Sequence, residues 1–268
     1  MKCAVLGDPI AHSLSPVLHR AGYAALGMDW TYRTKRVPAG GLAAFVAERG
    51  PEWRGLSLTM PLKREAMPLA DTITDRARLA GAANTLVLDN GTVHADNTDI
   101  PGAVAAIHER FDGRLLAATV LGGGATATST ALALCDLGVT EIRFLVRSPE
   151  RAAETVAAVH RHPSAPTIIV GSLADDFAEG DILVSTIPVE AQTPDLISRC
   201  DDVAVTFEVL YHPWPTPLAR AAQGVLVSGL DLLVHQAGIQ FSLFTGHEAP
   251  LAEMRAAGEA ELGARNLL

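Results

Sequence analysis

The stretch LLAATVLGGGATATSTALALCDLG, residues 115–138, constrains this chain more than any other. A buried, strand-like run meets three glycines, and an alanine-rich segment of helical composition begins at once. Gly122, Gly124 and Ala127 occupy the positions of a G-x-G-x-x-G/A turn. The first glycine permits the tight turn, the second lets backbone approach a pyrophosphate, and the small third residue lets helix and strand pack closely. Phosphates at such a turn face the positive end of the helix. The alternative is a plain tight turn with no ligand.

Apolar runs continue at EIRFLVRS (141–148), TIIVG (167–171), DILVSTIP (181–188), VAVTFEV (203–209) and GVLVSG (224–229), with helical spacers between most of them. Upstream, CAVLGD (3–8), WTYRTKRV (30–37) and GLSLTM (55–60) read as strands around the helical SPVLHRAGYAALG (15–27) and GLAAFVAERG (41–50). Ser15 can cap the first helix, Pro16 fits its first position and Gly27 stops it. NTLVLDNGTVHAD (84–96) reads as a hairpin turning at Asn90-Gly91, followed by a helical stretch near 101–111. Such alternation predicts an α/β chain with parallel sheets, helices on both faces and ligands at the carboxyl ends of strands. The final helix carries Leu230, Leu233, Val234, Ala237, Phe241 and Phe244 at helical spacing, with Gln236 and Gln240 on a neighbouring face. Two α/β domains are expected, one of residues 1–100 and 230–268 and one of residues 101–229.

At 268 residues, 49% hydrophobic and 19% charged, the chain can bury a sizeable core. A net charge of −9 without a lysine/arginine block argues against a nucleic-acid or membrane surface, so an anionic ligand must find local positive charge. Cys3, Cys135 and Cys200 are odd in number and far apart, which fits small core residues in a reducing compartment. The N-terminus lacks a signal-peptide pattern and no run approaches a membrane span, so the cytoplasm is expected. His160 and His162 have no third ligand nearby in sequence, and no metal site is expected.

The strand after the glycine turn ends in FLVRSPER. No acid stands there to bond a ribose 2′-hydroxyl, whereas Arg147 and Arg151 suit a 2′-phosphate and favour NADP over NAD. Their other reading is two exposed arginines opening a surface helix. Ser13 and Ser15, two apart at a helix start, suit a carboxylate or serve simply as caps. Lys63, after Pro61, stands at the end of a strand where it either enters a cleft or snorkels to water. Asp99 reads as a helix cap and Asn84 as a turn residue, unless either serves a site.

Taken in order, GDPIAHSLSPVLH, LSLTMPLK, GAANTL, ADNTDIPG, LGGGATAT, VRSPERA, STIP, YHPWPTPL and GLDLLVHQAGIQFSLFTG resemble shikimate dehydrogenase over nearly the whole chain. The resemblance implies an N-terminal substrate-binding domain, an NADP-binding Rossmann domain and a cleft between them. It implies reversible NADPH-dependent reduction of 3-dehydroshikimate to shikimate. Lys63 and Asp99 match the catalytic pair. Ser13 and Ser15 match the serines that hold the substrate carboxylate, and Ser57, Thr59, Asn84, Tyr211 and Gln236 match other substrate positions. For the cofactor it implies Gly122, Gly123, Gly124, Ala125, Thr126 and Ala127 in the turn, Arg147, Ser148 and Arg151 after the next strand, and Thr186, Ile187, Pro188 and Gly229 beyond. The chain departs from the family at Ser57, usually Asn, which could reroute a substrate hydrogen bond. It departs also at Ala125, often Gly, at Val146, often Asn, and at Glu208, often Asp. Neighbouring expectations are a quinate/shikimate dehydrogenase using NAD or NADP, an aminoshikimate dehydrogenase, and a non-catalytic metabolite sensor. A small-molecule substrate and a monomer or homodimer are expected.

Overall fold

The computed structural model describes residues 1–200 and 203–265. The chain divides into two compact units, Met1–Thr98 with the residues from Leu233 on, and Asp99–Leu232.

The first unit runs β1 (Lys2–Gly7), α1 (Ser15–Ala25), β2 (Thr31–Arg36), α2 (Leu42–Ala47), β3 (Trp53–Leu58), β4 (Thr72–Ile73), α3 (Asp75–Ala80), β5 (Thr85–Asp89) and β6 (Thr92–Asp96). Its six strands lie in the order β2-β1-β3-β5-β6-β4. This sheet is mixed: β1 pairs in parallel with β2 and β3, but β5 runs antiparallel to β3 and to β6. The expectation of parallel sheets throughout is corrected here, because the Asn90-Gly91 hairpin returns the chain directly, with both residues at positive φ. One face buries Leu6, Leu42, Leu56, Leu62 and Leu86. Burying side chains of this size contributes about 1.5–3 kcal/mol each.

In the second unit the order is α4 (Asp99–Arg110), β7 (Ala117–Leu121), α5 (Ala125–Asp136), β8 (Glu141–Val146), α6 (Ala153–His160), β9 (Thr167–Ser172), β10 (Ile182–Ser185), α7 (Pro194–Ser198), β11 (Val205–Glu208), α8 (Pro217–Ala221) and β12 (Val225–Ser228). All six strands are parallel, ordered β12-β11-β10-β7-β8-β9. Counted from β7 this is 3-2-1-4-5-6, the doubly wound Rossmann arrangement, whose strand order reverses between β7 and β10. The alanine-rich composition of α5 follows from its place: nine consecutive residues from Ala127 to Cys135 are buried, so mostly small side chains are needed all round it.

The chain ends with α9 (Gly229–Thr245) and α10 (Leu251–Arg265). α9 buries Val234, Ala237, Phe241 and Phe244, the stripe read from the sequence. It is not the last helix: α10 follows it and packs on α1. Residues 251–265 alternate too many alanines and charges to announce a core face, and only Met254, Gly258 and Leu262 are buried.

Candidate active site

In the second unit the glycine turn follows β7. Gly122 has φ +106, and a Cβ there would stand 2.5 Å from Thr186 Oγ1. Thr186 itself follows β10, so the turn and Thr186 meet where the strand order reverses, and both its N–H (3.0 Å) and its hydroxyl (2.8 Å) donate to Leu121 O. Gly123 lies against Ala152 Cα, 2.9 Å from its would-be Cβ, whereas nothing lies within 4 Å of a Cβ at Gly124. That open side continues into the first turn of α5, whose N-cap is Gly124 and which carries no side-chain cap. Ala125 and Thr126 are half-buried on that turn and Ala127 is fully buried beneath it. Backbone N–H groups at a helix N-terminus with no side chain in front of them fit a pyrophosphate.

Two threonines hold this turn that no spacing rule singled out. Thr155 Oγ1 donates to Gly123 O (2.9 Å) and lies 2.7 Å from Thr128 Oγ1, both side chains being buried. Their signal is absent from the sequence because a buried threonine reads there as any helix residue. Beyond β8, Arg147 and Arg151 are exposed, neither side chain is held by an ion pair among the described residues, and half-buried Ser148 precedes the 3₁₀ turn Pro149–Ala152. Val146 is buried at the end of β8 and presents no polar group. The open turn and the uncommitted guanidinium groups fit NADP. Ile187 is buried and Pro188 exposed after Thr186.

The floor of the first unit is a set of buried hydroxyls and carboxamides. Asn84 and Gln236, far apart in sequence, meet directly: Asn84 Nδ2 donates to Gln236 Oε1 at 3.3 Å. Asn84 is more than a turn residue, since its Oδ1 accepts from Thr98 N (2.8 Å) and Thr85 Oγ1 (2.8 Å). Ser57, at 4% exposure, accepts from Tyr32 Oη and donates to Gln240 Oε1 at 2.6 Å. Tyr32, Thr85, Thr98 and Gln240 were not candidates from the sequence, apart from the shared helix face of Gln236 and Gln240.

Ser15 does not cap α1. It is the first helical residue, Leu14 is the N-cap position, and Ser13 Oγ accepts from Ser15 N at 3.3 Å. The proline at the next position places Ser15 one residue inside the helix. Ser13 is half-buried and Ser15 buried.

Lys63 also stands elsewhere than at a strand end. β3 ends at Leu58, and Lys63 lies on a compact turn over residues 60–66. The sequence expectation placed the strand end at residue 60; the cis Met60–Pro61 peptide and Pro61, which has no N–H for the ladder, lie within that turn. The turn is pinned by Leu62 and Ala66, both fully buried, by Thr59 N to Leu6 O (2.9 Å) and by Ala83 N to Lys63 O (2.8 Å). Thr59 and Lys63 are thus half-buried side chains on a fixed backbone. Asp99 opens α4 as its first residue rather than standing before it, and is 8% exposed in the second unit.

Tyr211, half-buried, belongs to the connection between β11 and α8. Glu208 at the end of β11 organises that connection: it accepts from Gln192 Nε2 (2.6 Å), Leu210 N (3.0 Å) and Thr216 Oγ1 (3.0 Å). Burial raises its carboxyl above the usual range and these donors pull it back. Gly229 begins α9 where a Cβ would meet Leu210 backbone, its carbonyl carbon 2.6 Å away. Among the described residues no group of three His, Cys, Asp or Glu side chains could hold a metal.

Residues 5–86 match the shikimate dehydrogenase substrate binding domain and residues 229–257 the shikimate 5′-dehydrogenase C-terminal domain. The chain is 34% identical over 266 residues to the NADP(+) shikimate dehydrogenase of Methanothermobacter thermautotrophicus, covering 93% of each chain. The crystal structure of Mycobacterium tuberculosis shikimate dehydrogenase superposes with a TM-score of 0.87 at 43% identity, over 97% of this chain and 99% of that one. Shikimate 5-dehydrogenase from Thermus thermophilus, in complex with NADP(H) and shikimate, gives 0.84 at 27% identity, over 97% and 99%. With the glycine turn, the Rossmann strand order and the Asn84–Gln236 floor all in one chain, these matches have one meaning: the chain belongs to the shikimate dehydrogenase family.

Proposed function

We propose that this chain catalyses the reversible NADPH-dependent reduction of 3-dehydroshikimate to shikimate, a step toward chorismate and the aromatic amino acids. The observation that carries the reading is an unobstructed Gly124 turn followed by two uncommitted arginines, in a chain 34% identical to an NADP-dependent shikimate dehydrogenase. The residues from Met1 to Thr98 and from Leu233 on supply most of the substrate side, and Asp99–Leu232 the cofactor side, along with Asp99 and Tyr211.

In this reading the first-turn N–H groups of α5 hold the pyrophosphate, and Arg147, Ser148 and Arg151 hold the 2′-phosphate. Thr186, Ile187, Pro188 and Gly229 would complete the cofactor side. When bound, NADPH supplies the hydride. Ser13 and Ser15 hold the substrate carboxylate, while Thr59, Asn84, Tyr211 and Gln236 orient its ring hydroxyls. A ketone carbon that gains a hydride leaves negative charge on its oxygen, and a positioned ammonium that also donates a proton stabilises that change. Lys63 has this role, and takes the proton back from the hydroxyl in the oxidation direction. Asp99 orients Lys63 and accepts from a substrate hydroxyl.

Cytoplasm is the proposed compartment; no helix of the described residues is long and apolar enough to cross a membrane. The enzyme acts on a small molecule without a nucleic-acid partner, as a monomer or homodimer.

The test is steady-state kinetics with shikimate or quinate and NADP or NAD, in all combinations, with Lys63→Ala alongside. Shikimate with NADP is expected to have the highest kcat/KM, and Lys63→Ala to lower kcat by about 100-fold or more, the scale of general acid–base groups. Quinate or NAD in first place would move the reading to a quinate/shikimate dehydrogenase, and no turnover in any combination would favour a sensor. Near-parental turnover by Lys63→Ala would remove its assigned role.

A further inference from the structure

Tyr32 lies in β2, the edge strand of the first sheet, and its side chain is fully buried. Its hydroxyl donates to Ser57 Oγ at 2.5 Å. A serine hydroxyl has one proton, and that of Ser57 goes to Gln240 Oε1 at 2.6 Å. What remains on Ser57 is one buried lone pair, so it cannot donate to a substrate. The carboxamide of Gln240 is then fixed in orientation, because its Nε2 donates to Asn84 O (3.1 Å), a group that only accepts, and to Thr85 Oγ1 (2.8 Å).

The sequence of donors continues in one direction. Thr85 Oγ1 donates to Asn84 Oδ1 (2.8 Å), which Thr98 N–H also fills from the backbone (2.8 Å). That turns Asn84 Nδ2 toward Gln236 Oε1, while Gln236 Nε2 is tied to Leu233 O at 2.9 Å. Each of the three carboxamides also meets a backbone group that can only donate or only accept, so none can flip without losing a hydrogen bond.

The ring that begins the path is itself held. His19 stacks on Tyr32 with ring centroids 4.1 Å apart and planes 11° from parallel. Neither imidazole nitrogen of His19 reaches a hydrogen-bond partner, so the imidazole serves here as a neutral aromatic plate. One held phenol thus stands behind the Asn84–Gln236 pair.

We infer that Tyr32 is a positioning residue for shikimate, acting through Ser57 and Gln240 to set the carboxamides of Asn84 and Gln236, and that Ser57 serves this relay rather than contacting substrate. This rests on the proposed reading that Asn84 and Gln236 bind shikimate. It gives a reason for serine at position 57, where the family resemblance implies asparagine: the short side chain closes the relay inside the protein.

The test is Tyr32→Phe, which removes only the hydroxyl, with Ser57→Ala and the double variant, each read by kcat, by KM for shikimate and for NADP, and by thermal midpoint. Tyr32→Phe is expected to raise KM for shikimate about 5- to 10-fold, the equivalent of about one buried hydrogen bond, with kcat within about 2-fold. KM for NADP stays at the parental value. The double variant is expected to be no worse than Ser57→Ala alone, since both break the same path, and Ser57→Thr, which keeps the hydroxyl, restores KM. A lower thermal midpoint with unchanged KM for shikimate, or equal increases for shikimate and NADP, would overturn the inference. No shikimate oxidation by the parent enzyme would remove the reading and the inference together.

Discussion

His19 is fully buried among Tyr23, Tyr32, Phe241 and Phe244, and burial lowers its pKa from 6.5 to about 3, with the Gln240 side chain acting in the opposite direction. The sign of the pH effect follows. Below pH 6.5 the unfolded imidazole takes up a proton that the folded one refuses until about pH 3. The contribution of His19 to stability is therefore complete above pH 6.5 and is lost as pH falls through that window. His19→Phe keeps the stacking shape and cannot titrate. In urea unfolding the variant is expected to match or exceed the parent at pH 7, since two unpaired buried nitrogens are gone. Its advantage should grow by up to about 1.4 kcal/mol per pH unit on the acid side. Parallel stability curves for the two proteins from pH 7 to pH 4 would contradict this account.

At the scale of the element, the turn over residues 60–66 decides where Lys63 stands, and β1 decides where that turn stands. Gly7 ends β1 with Thr59 and Met60 against it: a Cβ there would overlap the Thr59 methyl and sit 2.9 Å from Met60 O. That carbonyl is in use, accepting from Asp8 N at 2.9 Å, so it cannot give way without loss. Gly7→Ala should displace the Thr59–Lys63 backbone while leaving every proposed substrate and proton-transfer side chain present. Misplacement by about 1 Å can cost roughly 100-fold, so kcat/KM for shikimate is expected to fall between about 10- and 100-fold. Parental kcat/KM in a folded variant would show that the turn tolerates the shift. The same logic explains what was legible. The strand before the turn and the lysine after it are visible in LSLTMPLK, but the site of the lysine on a turn pinned by Leu62 is not, because that depends on a leucine finding the core.

For the whole molecule, the proposed assignments give each of the two units its own ligand. On the proposed assignments, NADP alone slows amide hydrogen exchange in the first turn of α5 and around residues 147–151, and shikimate alone slows it around residues 13–15, 59–63 and 84. Shikimate protection confined to the α5 turn, or NADP protection confined to residues 13–15, would reverse the assignment of the units.

What depends on local pattern was legible in the sequence. The period of apolar residues showed most of the strands and helices, though not β4, α3 or α10; the spacing of Gly122, Gly124 and Ala127 marked the glycine turn, and Asn90-Gly91 marked the hairpin. Local signals suffice there because backbone sterics and burial period act within a few residues. Only the tertiary structure decided which polar side chains are brought together. Asn84 meets Gln236 and Ser57 meets Gln240 across more than 150 residues of sequence, and Thr155 reaches the carbonyl of Gly123 from another helix. No periodicity announces such contacts, because a buried polar group takes whichever partner the packed core places within about 3 Å of it, and leaving it without one would cost more than any local preference supplies.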